Sequence, residues 1–264
     1  MRILMVGDIF GRLGRKFFCE TTKKLKREKN IDVVVVNGEN VAHGKSLTQA
    51  TFNEILSGGA DIITTGNHIW DRKDVIELLE REPFLIRPAN FPEGSPGKGH
   101  CIYPYRAKNI GVINLIGRTY MQPIDCPFTR AEEILKAIKR ECDIILVDFH
   151  AEATAEKAAM GYFLDGRVTA VVGTHTHIQT ADERILPKGT AFITDLGMVG
   201  SLNSIIGMKI EQVIEKFVTC RPAKFEVADE PPCIYGAVII EINDATNKPT
   251  KIERVTISEK IVTK

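Results

Sequence analysis

The sequence lacks the apolar runs that mark membrane and secreted proteins. No window approaches the roughly 18 consecutive apolar residues that a membrane-spanning helix needs. The first apolar run begins at Ile3 and ends at Gly7, so it is shorter than the core of a signal peptide. We therefore expect a soluble, cytoplasmic protein with no membrane partner.

Paired cysteines and a strong net charge are also lacking. The 6 cysteines are scattered without a CxxC pair, which excludes the usual zinc-ribbon and redox signatures and is typical of buried thiols in a reducing compartment. Lys and Arg (35) nearly balance Asp and Glu (34), giving a net charge of +1. Proteins that coat nucleic acid are usually basic, so we expect no stable nucleic-acid binding. A small anionic substrate is still allowed, because a local metal charge can attract it.

Short β-branched runs alternate with amphipathic stretches along most of the 264 residues. The runs are nearly continuous in apolar residues, which is typical of strands that are buried on both faces. They cover residues 3–6, 33–36, 62–65, 110–115, 144–147, 168–172 and 191–194. This alternation predicts an α/β sheet with helices on both sides.

The C-terminal part follows a different pattern. Residues 234–242 and 251–258 predict two strands of an antiparallel hairpin at the sheet edge, after a helix over 207–220. Two stretches rich in Pro and Gly, 87–106 and 117–127, predict loops. We expect a single domain over residues 1–264, with residues 87–130 as a candidate lid or loop insertion; a plain surface excursion is the alternative.

Ligand-type side chains follow five of the predicted strands. Because ligands bind at the carboxyl ends of strands in open α/β sheets, these side chains are expected to meet at one edge. They are Asp8, Glu39, Asn40, Asn67, His68, His150, His175 and His177. Carboxylate, carboxamide and imidazole groups suit Mn, Fe, Zn or Ni. In an extended segment the two histidines of GTHTH would face the same side.

Each of these residues is a weak signal by itself. A lone histidine is more often a surface or core residue, and Asn67 suits the N-cap of a helix that begins near Asp71. Packing alone does not explain why so many such groups follow strands, so the joint pattern favours a metal centre.

The motifs NGENVAHGKSLT, GNHIWD, DFHAEATAEK and VVGTHTHIQT resemble the calcineurin-like metallophosphoesterases, and more closely their YmdB-like branch of bacterial phosphodiesterases. The resemblance runs from Met1 to about Ser258. Phe10 stands where the wider family has a histidine, Glu39 stands where it has a bridging Asp, and Ile69 stands where an acidic residue is usual. The YmdB-like branch shares these departures, which indicates a variant site.

The resemblance implies a metallophosphoesterase-like α/β sandwich, with mostly parallel central strands flanked by helices, an antiparallel C-terminal hairpin and a small lid. It also implies two divalent metal ions, with Fe or Mn favoured and Zn allowed. One ion would take Asp8, Glu39, Asn40 and His177. The other would take Glu39, Asn67, His150 and His175, so that Glu39 bridges.

The implied reaction is hydrolysis of phosphate esters, above all of 2′,3′-cyclic nucleotides, through in-line attack by a hydroxide that bridges the ions. His68 would protonate or stabilise the leaving alkoxide. His43 and His100 are weaker candidates for a functional role. The alternatives are a phosphomonoesterase or nucleotidase, and a regulatory binding protein with a vestigial metal site. We also expect a homo-oligomer.

Overall fold

A computed structural model, which describes residues 1–259, places the apolar runs in two β-sheets. The strands are β1 (Arg2–Val6), β2 (Asp8–Ile9), β3 (Val33–Asn37), β4 (Ile62–Thr64), β5 (His100–Tyr105), β6 (Lys108–Ile116), β7 (Ile144–His150), β8 (Ala170–Thr174), β9 (Arg184–Ile185), β10 (Ala191–Ile193), β11 (Met198–Ser201), β12 (Cys233–Ile242) and β13 (Pro249–Glu259). The helices are α1 (Gly11–Glu28), α2 (Gln49–Gly58), α3 (Val75–Arg81), α4 (Pro127–Ile138), α5 (Thr154–Leu164) and α6 (Ile210–Thr219). A short 3-10 turn covers Ile69–Asp71.

Each sheet contains a block of adjacent parallel strands. The first sheet has the order β2-β11-β12-β1-β3-β4, with β13 paired to β12, and its β1, β3 and β4 run parallel. The second has the order β5-β6-β7-β8-β10-β9, with β6, β7, β8 and β10 parallel. The predicted parallel centre is therefore confirmed, although its strands are divided between two sheets, which the alternation pattern does not specify.

The two sheets pack face to face, and helices cover their outer faces. Because side chains alternate along a strand, Ile3 and Met5 of β1 join residues of the second sheet such as Val112 in one core. Leu4 and Val6 face the opposite way and pack with α1. Helices α4 and α5 cover the second sheet in the same manner. The expected α/β sandwich is confirmed.

The C-terminal hairpin is present, and its two strands have different environments. Strand β12 lies inside the first sheet, antiparallel to both β1 and β13, while β13 forms the edge. Their burial agrees with this, because residues 235–240 are buried and most of β13 is not. Within residues 1–259, no helix has the length and hydropathy needed to cross a membrane.

The predicted loop over 87–106 contains a strand. Residues of β5 pair antiparallel with β6 along their whole length. The neighbouring glycines and Pro104 hide this strand in the sequence, yet a proline is tolerated because β5 lies at the sheet edge. The lid over 87–130 stays a prediction. So does the single domain over 1–264, of which residues 260–264 lie outside the described part.

Candidate metal centre

Carboxyl ends of strands from both sheets meet at one rim and bring the predicted side chains together. Asp8 and Glu39 come from the first sheet, whereas His150 and His175 come from the ends of β7 and β8 in the second. One donor atom each from Glu39, His150 and His175 lie within 4.8 Å of one another. The predicted convergence at strand ends is therefore observed.

The Nε2 atom of His150 is the centre of a first group of donor atoms. It lies 3.2 Å from Oε1 of Glu39, 3.0 Å from Oδ1 of Asn67 and 3.0 Å from Nδ1 of His175. Two ligand atoms that bind one ion at about 2.1 Å and at a right angle are separated by about 3.0 Å. This spacing fits a shared ion.

A second group includes Asp8 and His177, close to Phe10. Nε2 of His177 lies 3.9 Å from Oδ1 of Asp8, and Asn40 is buried and lines the same cavity as His177. Among the described residues, Oδ1 of Asp8 and Oδ1 of Asn40 are buried without a hydrogen-bond partner. Unpaired buried oxygens are costly unless a cation or water completes them. Phe10 packs edge-on against the His177 ring at 5.2 Å, at the position where the wider family has a histidine.

Each histidine is oriented through its second ring nitrogen. Thr174 Oγ1 donates to Oδ1 of Asp148 (2.7 Å), so it accepts from Nδ1 of His150 at 3.0 Å and leaves Nε2 free to bind a metal. Nε2 of His175 lies 3.0 Å from Oε2 of Glu152. Nδ1 of His177 donates to a backbone carbonyl at 2.8 Å.

The backbone of the GTHTH segment differs from the extended chain that the two-residue spacing suggested. His175 and His177 both have positive φ angles, 99° and 63°. This conformation is unfavourable for histidine and is held by other residues: the His175 N–H donates to Asp8 at 3.1 Å, and the Thr176 N–H donates to Asp195 at 3.2 Å. With this backbone the His175 imidazole reaches His150, whereas the His177 imidazole lies near Asp8.

Gly66 allows the chain to pass directly behind the first group. A Cβ atom at this position would lie 2.2 Å from Oε2 of Glu39 and 2.3 Å from Nε2 of His150. Any larger residue would push the donor atoms apart, so the glycine of GNH is required by space.

His68 borders the centre without joining either group of donor atoms. Its N–H donates to Oε2 of Glu39 at 3.2 Å, and its Nδ1 lies 2.9 Å from Oδ2 of Asp71. The acidic partner that Ile69 removes from the adjacent position is thus replaced by Asp71, three residues along the turn.

The charges of the centre favour a cation. Burial raises the pKa of Asp8 to about 6 although His177 and His150 lower it. Burial also opposes ionisation of Glu39, but the charge and hydrogen bond of His150 lower that pKa to about 2. Burial lowers the pKa of His150, yet Glu39 and Asp8 raise it further, to about 9. Burial and the neighbouring His150 lower the pKa of His175 to about 3. Without metal, a proton on His150 thus balances the charge of the buried carboxylates. Bound divalent cations would neutralise these carboxylates in its place.

The arrangement fits divalent metal ions. It combines unpaired buried oxygens, nitrogen atoms 3.0 Å apart, and carboxylates of low solvent access. A family model described as YmdB-like protein matches residues 4–255 of the chain. The chain belongs to this family.

Relatives agree with this assignment over nearly the whole chain. The 2′,3′-cyclic-nucleotide 2′-phosphodiesterase of Bacillus subtilis (strain 168) is 49% identical over 259 residues, which cover 98% of this chain and 98% of that protein. A novel phosphatase from Mycoplasma pneumoniae has a TM-score of 0.93 and 35% identity, and the match covers 98% of this chain and 94% of that chain. A hypothetical protein from Thermus thermophilus has a TM-score of 0.92 and 37% identity, covering 98% and 100%. The resemblance to the YmdB-like metallophosphoesterases is confirmed.

A cavity of about 640 Å³ opens from the metal centre of this YmdB-like protein. Its lining combines polar residues of the centre, such as Glu39, His68 and His175, with a set of apolar residues and with Lys45 and Lys216. His43 lines a neighbouring cavity, and His100 lies half-buried at the start of β5. Neither belongs to the two groups of donor atoms.

Several residues that shape this YmdB-like site were missed in the sequence. Asp148 could have been found, because a carboxylate within an apolar run, two residues before His150, lies on the same strand face. Thr174, Glu152 and Asp71 carry no such signal, since each acts through a contact that only the fold creates.

Proposed function

We propose that this chain binds two divalent metal ions and hydrolyses phosphodiesters, with 2′,3′-cyclic nucleotides as its substrates. Asp8, Asn40 and His177 would hold one ion; Asn67, His150 and His175 would hold the other; Glu39 would contact both. The observation that carries the proposal is the pair of buried, unpaired oxygens beside the Glu39, His150 and His175 cluster. Fe or Mn is favoured, and the ligand types also suit Zn.

The substrate class is supported by the activity in the name of the Bacillus subtilis relative. When bound, two divalent cations neutralise charge on phosphoryl oxygens and make a nearby water more acidic. Hydrolysis adds the water oxygen to phosphorus, breaks the bond from phosphorus to O2′, and places a proton on O2′. The nucleoside 3′-phosphate is the product.

His68 is suited to supply the proton to the leaving oxygen. It lines the cavity, and its contact with Asp71 fixes the ring so that Nε2 is free. A positioned acid of this kind contributes about 10²–10⁴-fold to a rate. The Glu39 carboxylate accepts a hydrogen bond from the backbone N–H of His68, and this contact holds the proposed acid, His68, beside the metal centre.

Metal analysis of anaerobically purified protein, followed by a panel of phosphodiesters and phosphomonoesters, tests the proposal. We expect about two ions per chain and turnover of 2′,3′-cyclic nucleotides. Asp8→Asn and His175→Ala should lose metal and activity together, while His100→Ala, outside the site, should keep both. Full metal content and full turnover in either site variant would refute the ligand assignment.

His68→Ala separates the proposed acid from the ligands. The variant should keep both ions and lose about 10²–10⁴-fold in turnover, most of all with poor leaving groups. Loss of metal would instead make His68 a ligand or a structural support.

The same panel distinguishes the alternatives. Faster turnover of monoesters would indicate a phosphomonoesterase or nucleotidase, and metal-loaded protein without turnover would indicate a regulatory binding protein. Location in the cytoplasm, a homo-oligomeric state and the lack of stable nucleic-acid binding stay predictions. Light scattering of the purified protein tests the second, and a salt-dependent binding assay tests the third.

A further inference from the structure

The cavity at the metal centre has a second wall that the phosphodiester chemistry does not use. We define the apolar wall as Ile205, Ile206, Met208, Val213, Phe217 and Phe225. The cavity volume of about 640 Å³ is typical of sites for whole small molecules, and it exceeds what a phosphate group alone would fill. The cavity therefore has room beside this wall for a further part of a substrate.

Helix α6 presents an aromatic ring to the cavity. Val213 and Phe217, which are four residues apart, lie on the same helix face and both line the cavity. The Phe217 side chain is 78% exposed, although Val213 on the same face is buried. An aromatic face with this much exposed area beside a reaction centre is suited to stacking against a flat ring.

Phe225 provides a second ring in a fixed position. Its neighbours pair with the segment before α6, because Lys209 N–H donates to the Glu226 carbonyl and Ala228 N–H donates to the Gly207 carbonyl, both at 2.9 Å. The ammonium of Lys216 lies 5.0 Å from the centre of the Phe225 ring. This contact covers part of Phe225 and leaves Phe217 as the freer surface.

We propose that the apolar wall binds the nucleobase of the substrate, which stacks on Phe217 and Phe225 while the phosphodiester lies at the metal centre. This inference rests on the proposed function and specifies how the substrate is recognised. Because the side chains of the wall are apolar, the wall itself recognises the base through stacking area, although Lys216 lies beside it. Purine nucleotides should therefore have lower KM values than pyrimidine nucleotides.

The decisive measurement compares a cyclic phosphodiester with and without a base. For wild type and Phe217→Ala, kcat/KM is measured with 2′,3′-cyclic AMP and with glycerol 1,2-cyclic phosphate. The kcat/KM for 2′,3′-cyclic AMP divided by that for glycerol 1,2-cyclic phosphate should fall roughly 5- to 150-fold in the variant, as expected for loss of one stacking partner. The fall should lie mainly in KM. Phe217→Leu, which keeps apolar bulk without the aromatic face, should recover part of the ratio.

Tyr162→Ala is the matched control, because Tyr162 is an aromatic residue on a different helix, is 54% exposed, and does not line this cavity. It should leave the ratio unchanged. Equal changes for both substrates in Phe217→Ala, or no change, would overturn the inference. A shift of oligomeric state in Phe217→Ala, measured by light scattering, would also overturn it and identify the wall as an interface between copies. If wild type turns over neither substrate, the proposed function itself fails.

Discussion

Replacing Thr174 by valine tests whether the ring orientation of His150 controls metal binding. Thr174 Oγ1 accepts from Nδ1 of His150 at 3.0 Å and donates to Oδ1 of Asp148 at 2.7 Å. Valine has nearly the same shape and removes both hydrogen bonds. When Nε2 binds a metal, the neutral His150 ring must keep its remaining proton on Nδ1, and in the variant that proton has no acceptor. The other neutral tautomer, with the proton on Nε2 facing Oε1 of Glu39 at 3.2 Å, is then favoured. A proton on Nε2 competes directly with a metal ion.

The expected magnitude has two parts. Removing an orienting partner of a ligand histidine costs roughly 10- to 100-fold in metal affinity, or about 1.4–2.7 kcal/mol. In addition, a buried donor left without a partner costs about 1–3 kcal/mol of the free energy of unfolding. Losing the Thr174 hydrogen bond should cost less at Asp148, because this carboxylate keeps the hydrogen bonds that it accepts from Thr64 and Asn37.

Competition with a metal-binding dye measures the affinity, and urea unfolding of metal-free protein measures the stability. Thr174→Ser is the matched control, since it keeps the hydroxyl and should bind metal within a few-fold of wild type. Wild-type affinity in Thr174→Val would refute the reasoning. An equal loss in Thr174→Ser would also refute it, because the methyl group and not the hydroxyl would then matter.

Three further predictions concern charges and protons. Lys157→Met should lower the free energy of unfolding, measured in urea, by about 3–5 kcal/mol, because the buried Asp195, whose Oδ2 lies 2.5 Å from the lysine Nζ, loses its cationic partner. Adding Asp195→Asn to this variant should restore part of the lost stability. Unchanged stability in Lys157→Met alone would contradict the prediction. Burial raises the pKa of Tyr235, so its contribution to stability is complete below the unfolded pKa of about 10 and is lost as pH rises above it. Tyr235→Phe, which gives up a 2.8 Å hydrogen bond to Thr22 worth about 1 kcal/mol, should lack this alkaline loss when unfolding is compared at about pH 8 and pH 10.5. Because the pKa of His150 is raised to about 9 in the absence of metal, metal binding at pH 7.5 should release a proton and strengthen as pH rises toward 9. Calorimetry in two buffers of different ionisation enthalpy measures this release, and heats that do not depend on the buffer would exclude it.

The sequence was sufficient where local patterns determine the structure. Each parallel strand ends near the residue that the apolar run predicted, so Glu39 and His150 could be placed at strand ends without a structure. The division into two sheets could not be predicted, because strand pairing joins segments far apart in the chain. Strand β12 shows this: its apolar run predicted a strand, but its place beside β1 depends on a contact across more than 200 residues.

The orienting contacts were the least predictable part of the site. Glu152 lies 3.0 Å from His175 only because the loop after β7 turns toward the end of β8. The positive φ angles of His175 and His177 are likewise set by backbone N–H groups of this segment that donate to distant carboxylates, and not by the residues themselves. Which side chains meet at the centre could thus be predicted from strand ends, whereas their orientation depends on tertiary structure.

The division of the donor atoms between two sheets has a mechanical consequence. Glu39 belongs to one layer of the sandwich and His150 to the other, so their 3.2 Å separation depends on how the layers are aligned. A substitution deep between the layers, for example at Val35 or Leu146, can shift this alignment and so change the distance between the donor atoms of Glu39 and His150 without touching either residue. Conversely, an ion held by both layers resists their sliding. A change in metal affinity would therefore report a change in the alignment of the two sheets, even when the substitution lies far from the donor atoms.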